Sequence, residues 1–123
     1  KNFYKDIEMI SKSNTTGYEL SVIGEYAFIN SPYHDEDLKL ILKAKDPYIA
    51  EALAKVAENI YSINSPYHQK DMLLISKANH SVDNLVYLAT NENSLKDKYH
   101  LENMQILAIK SIENISKNAI HIA

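Results

Sequence analysis

Cysteine is absent from this 123-residue chain, which excludes disulfides, thiolate nucleophiles and thiolate-held metals. Arginine and tryptophan are absent as well, and glycine occurs only as Gly17 and Gly24. Nucleic-acid binders use a basic face with arginine forks; a net charge of −3 with scattered lysines provides neither. Two glycines cannot build a dinucleotide fingerprint or a phosphate-cradling loop. Serine is plentiful, but no G-x-S-x-G elbow occurs. No apolar run reaches the roughly 18 residues of a membrane span. The opening residues Lys1-Asn2-Phe3-Tyr4 hold neither an initiator Met nor a leader-like apolar stretch. The expectation is a piece of a longer product with no membrane partner, for which the cytoplasm is favoured.

What is present is a repeat. A hydrophobic content of 46% suffices for a core. Residues 29–44, INSPYHDEDLKLILKA, recur as residues 63–78, INSPYHQKDMLLISKA, with eleven of sixteen positions identical at a spacing of 34. A weaker copy keeps Tyr99-His100, and Lys5-Asp6-Ile7-Glu8-Met9-Ile10-Ser11-Lys12 resembles residues 70–77. A second pattern lies between these blocks: Leu20-x-x-Ile23-Gly24, Leu53-x-x-Val56-Ala57 and Leu85-x-x-Leu88-Ala89. The chain therefore reads as one domain, 1–123, with repeats near 1–30, 31–64, 65–94 and 95–123.

Each repeat reads as two helices. Ser31-Pro32 and Asp46-Pro47 combine a capping side chain with proline at the first helical position. Asp35, Glu36 and Asp37 suit the positive end of the helix dipole, and Ile49, Leu53, Val56 and Ile60 keep a 3.6-residue period. Ser94-x-x-Asp97 looks like a capping box, which predicts one long closing helix over 95–117. No stretch alternates like a strand. The expected fold is all-α: a right-handed superhelix of three to four antiparallel helical hairpins, stacked because no hairpin buries its apolar face alone.

This hairpin logic resembles the α-solenoid group, broadly HEAT- and armadillo-like, across nearly the whole chain. The repeat is shorter than a usual HEAT unit, and no arginine fills the basic position many such units carry. The tetratricopeptide pattern has the right length but fails on residues, since its aromatic would fall on Glu58. The resemblance implies a binding scaffold.

Among candidate chemistries, His34-x-x-Asp37 and His68-x-x-Asp71 place imidazole and carboxylate on one helical face, as a metal would need. Stacked helices lie roughly 8–10 Å apart, too far for equivalent histidines to share one ion, so local capping and bonding is the expectation. Tyr33, Tyr67 and Tyr99 read as packing between hairpins. His80 and His121 are assigned no role. No enzymatic activity, metal or cofactor is expected. The leading function is protein or peptide binding, through outward rows of the second helices: Val22, Lys55 and Tyr87; Glu25, Glu58 and Thr90; Tyr26, Asn59 and Asn91. The alternatives are a structural spacer or array fragment and, behind it, a metal- or nucleic-acid-dependent activity.

Overall fold

A computed structural model describes residues 3–11, 22–79 and 82–113, the side chains of residues 3 and 110–113 excepted. It is all-helical: among the described residues there are nine helices and no strand. They are α1 (Phe3–Ser11), α2 (Tyr26–Ile29), α3 (His34–Leu42), α4 (Pro47–Ala57), α5 (Ile60–Ile63), α6 (His68–Ser76), α7 (Val82–Thr90), α8 (Glu92–Leu95) and α9 (His100–Glu113). None is long and apolar enough to cross a membrane.

The eight helices after α1 fall into three classes. The first, α3, α6 and α9, shares a way in. The Ser31 hydroxyl accepts from the Tyr33 amide at 3.0 Å, the Ser65 hydroxyl from Tyr67 at 2.9 Å, and the Asp97 carboxylate from Tyr99 at 2.8 Å. These side chains close a turn just ahead of the helix, which satisfies an amide that would otherwise be free; Pro32 therefore lies in that turn, and α3 begins at His34 and not at Pro32 as expected.

The second class, α4 and α7, carries the central core. Asp46 is extended and accepts from the Ile49 amide at 2.9 Å, and Pro47 follows in the first helical turn. Ile49, Ala50, Leu53, Ala54, Val56 and Ala57 are all buried. Their alanines let α6 and α7 approach closely, while Leu53 and Ile49 fill the space between. Burying each large residue stabilises the fold by roughly 1.5–3 kcal/mol.

The third class, the one-turn helices α2, α5 and α8, is absent from the two-helix reading. Asn59 and Asn91 end the preceding helix and cap the next, accepting from the Ser62 and Ser94 amides at 3.0 Å each. This corrects the capping box at Ser94: the cap is Asn91, α8 stops at Leu95, and the closing helix starts at His100. Residues 114–117 lie outside the described set.

Helices of one class are neighbours in successive copies. α3 packs on α6 and α6 on α9, α4 packs on α7, and α5 on α8. Leu38, Ile41, Met72, Ile75, Leu85 and Met104 join one continuous core across them.

Candidate functional site: a buried ladder and an outer face

The repeat-invariant polar residues do not meet within a helix. They meet across repeats. His68 Nε2 lies 2.7 Å from Asp37 Oδ2, and His100 Nε2 lies 2.7 Å from Asp71 Oδ2. His34 Nε2 is 2.8 Å from Asp6 Oδ2, an ion-pair contact whose N–H is not aimed as a hydrogen bond. All six side chains are buried. Local His-x-x-Asp bonding is thereby corrected: each carboxylate reaches forward to the following copy, and each imidazole reaches back. Tyr33 stacks on His68 at 4.7 Å between ring centroids, and Tyr67 on His100 at 4.9 Å. Tyr33 and Tyr67 thus pack between repeats, whereas Tyr99 is 54% exposed with the Lys98 ammonium over its ring.

The other ring nitrogen distinguishes the rungs. His68 Nδ1 meets the Ser62 hydroxyl at 2.7 Å, and His100 Nδ1 meets the Ser94 hydroxyl at 3.0 Å. A hydroxyl both donates and accepts, so it satisfies the ring with or without a proton on Nδ1. In the first rung the sixth residue back is Phe28, and His34 Nδ1–H donates to its backbone carbonyl at 3.0 Å. A carbonyl only accepts, as does the Asp6 carboxylate, so His34 uses both partners only as imidazolium. Burial works against that charge, but the Phe28 carbonyl, Asp6 and Asp35 outweigh it and lift the His34 pKa above the ordinary imidazole value. For Asp37 and Asp71, burial dominates and raises the carboxyl pKa, while His68 and His100 oppose it. Asp71 Oδ1 is buried with no hydrogen-bond partner, which adds to the cost of its charge.

Ser62, His68 and Asp37 form a linked Ser–His–Asp trio, yet the arrangement is not that of a hydrolase. A hydrolytic triad turns Nε2 to the nucleophile and Nδ1 to the carboxylate. Here the ring is reversed, and all three side chains are sealed in the core. A substrate carbonyl reaches Ser62 Oγ only if the core opens. Nor do three ligating groups converge: no cluster of three or more His, Asp or Glu suited to a metal occurs among the described residues. What this chemistry does is join one repeat to the next.

The expected binding rows are only partly outward. Glu25, Tyr26, Lys55 and Tyr87 are exposed, with Tyr26 at 81% and Tyr87 at 64%. Val22 is fully buried, a correction with a clear cause. The motif alignment slipped by one residue in the first copy: Val22 matches Val56 and Leu88, and Glu25 matches Asn59 and Asn91 at the cap of the short helix. Asn59 and Asn91 are half-buried and spend their side chains as caps. Glu58 is half-buried, and Thr90 donates its hydroxyl to the Val86 carbonyl at 2.8 Å. Tyr26 therefore sits on a short helix and Tyr87 on a second-class helix, in different rows. His80 and His121 lie outside the described residues.

Sequence reasoning missed the His–Asp pairing, Ser62 and Ser94. Their signal was present: each serine stands six residues before its histidine, and each aspartate about 30 before the histidine it meets. It also missed a groove of about 290 Å³ between α3 and α6, with an apolar floor of Leu40, Met72 and Leu73 beside Lys39 and Lys43. Comparison with known proteins gives no match to a family model, a curated protein or a solved structure.

Proposed function

We propose that the chain is a helical-repeat scaffold: a right-handed α-solenoid of stacked hairpins, broadly HEAT- or armadillo-like, that binds another protein or peptide and performs no catalysis. The observation that carries this reading is the separation of roles between invariant and variable residues. The invariant histidines and aspartates are buried in repeat-to-repeat bonds. Of the residues that change type, Glu25, Tyr26, Lys55 and Tyr87 face outward, and Tyr26, Tyr48 and Tyr87 are among the most exposed side chains. Exposed tyrosine offers contact area at low entropic cost and is enriched at binding hot spots.

The test is photo-crosslinking from position 55, in the row of Tyr87, in extract of the source cells. The reading expects one recurrent protein adduct, and a loss of affinity of about 1–2 kcal/mol in Tyr87→Ala or Tyr26→Ala with unchanged melting temperature. Absence of any saturable adduct, or adducts indifferent to both substitutions, would leave a structural spacer as the better reading.

A further inference from the structure

The groove between α3 and α6 crosses a joint that the His68–Asp37 rung has already closed. Each of its wall helices also has its other neighbour in place. Asp6 of α1 meets His34 of α3, and His100 of α9 meets Asp71 of α6. A further copy of the repeat therefore has no seat here. The groove offers about 290 Å³ over an apolar lining of Leu40, Met72 and Leu73. Leu73 is 49% exposed. Its position holds Lys39 in the copy before and Gln105 in the copy after, so the repeat itself does not ask for leucine there. Lys39 and Lys43 line the same groove, four residues apart and both exposed. Like charges at that spacing oppose a helix. Elsewhere the chain answers such charges: Lys55 pairs with Glu51 and Lys96 with Glu92, each four residues back. Asp35 stands four residues before Lys39, yet among the described residues neither Lys39 nor Lys43 has an ion pair. Of the acids in the lining, Asp37 is spent on His68, and Glu36 sits in the first turn of α3.

We propose that this groove docks an acidic amphipathic helix of a partner protein, its apolar stripe on Leu40 and Leu73 and its carboxylates against Lys39 and Lys43. Charge complementarity selects the occupant. A second copy seated face to face would set lysines against lysines. The stretches outside the described residues carry Glu19 as their only acidic side chain, beside Lys1, Lys12 and Lys117. Glu36 fixes the direction: the occupant must be neutral or basic where it crosses the start of α3, so its carboxylates gather at one end of the stripe. A lone acyl chain with an anionic head would also meet the lysines. Small-ligand sites, however, enclose roughly 70–90% of their ligand, and here Lys39, Gln69 and Leu73 are all exposed. A helix laid in an open groove turns its own polar face to the water.

The proposal rests on the scaffold reading but concerns a different surface from Tyr26 and Tyr87, so either can fail without the other. The probe is a fluorescent, stapled, alanine-based helix with a leucine stripe and glutamates flanking one end of it. A twin carries lysines in place of the glutamates. Each is titrated into the whole chain by anisotropy and by amide chemical-shift mapping. The expected result is saturable binding of the glutamate helix, with shifts centred on Leu40, Lys43 and Leu73. Affinity should fall about tenfold or more in Lys39→Glu/Lys43→Glu and in Leu73→Gln. Melting should be unchanged in both, because all three side chains are exposed. The charge-reversed protein should take up the lysine twin instead. No saturable binding of the glutamate helix, equal binding of the twin by the unaltered chain, or shifts centred on Tyr26 and Tyr87 would each overturn it. So would decanoate that displaces the helix with the same shifts, which would make the groove a lipid-anion site. Sedimentation showing that two copies of the chain already cover Leu73 would overturn it as well.

Discussion

A buried His–Asp pair is costly to assemble and more costly to break. Removing one partner strands the other without water, a loss of about 3–5 kcal/mol, whereas replacing both by apolar groups is often close to neutral. Asp37→Ala and His68→Ala are each expected to destabilise by that amount in urea unfolding, and Asp37→Leu/His68→Met by far less. A loss in the double equal to the sum of the two single losses would show that the pair contributes no coupling. The first rung behaves differently because His34 faces two groups that only accept. Its pKa is raised in the folded state. The stabilisation it gives is therefore complete below the unfolded imidazole value and lost as pH rises through the folded one. Asp37 and Asp71, also raised, act with the same sign at lower pH: folding is penalised as they ionise. The melting temperature is expected to fall from pH 6 to pH 8.5, and His34→Gln should flatten that slope. A wild-type slope that His34→Gln leaves intact would place the titrating group elsewhere.

At the scale of helices, the start of α4 was easier to read than the other starts or the links. Asp46-Pro47 announced α4 because cap and ring act within one turn, and the structure keeps both. The apolar stripe of α4 was legible through Ala57 for the same local reason, but Ile60, read as its continuation, begins α5 and is 51% exposed. The short helices were not, because four residues carry no period to detect; Asn59 and Asn91 read as outward positions within the second helices although each caps a new turn. Without a short helix to fix the register, the Leu-x-x-apolar-small pattern aligns the first copy one residue out of phase, which places the buried Val22 on the outer face. The ladder was illegible for a further reason: residues three apart on one helix look like partners, and only packing shows that the carboxylate leans toward the next copy. Asn59→Ala is expected to cost about 1 kcal/mol, the usual worth of such a cap, and to raise amide exchange at Ser62 first. Because the Ser62 hydroxyl holds His68, that fraying should spread to the His68–Asp37 rung, whereas Asp46→Ala should loosen only the start of α4. Identical exchange patterns in the two variants would argue that cap and ladder are independent.

For the whole molecule, the scaffold reading makes the repeat, not the residue, the unit that can be added or removed. In stacked arrays stability is approximately a sum of unit terms and nearest-neighbour interfaces. Deleting residues 35–68 removes one period and joins His34 to Gln69 within a single first-class helix. The tyrosine and histidine at its start are kept, and Asp71 follows His34 at the spacing of Asp37. Two rungs survive by identity, Asp6 with His34 and Asp71 with His100, and only the Asp37–His68 rung is lost. The shortened chain should remain helical by circular dichroism and unfold cooperatively. Its urea midpoint should be lower and its m-value reduced in line with the surface no longer buried. Deleting residues 35–51 is the contrasting case: His34 would run into Ala52, in the middle of a second-class stripe, and His68 would still begin α6 but lose its partner Asp37. That chain should lose its cooperative transition. Equal cooperativity in the two deletions, or collapse of the in-phase one, would mean that the copies seen in the sequence are not the units in which the molecule folds.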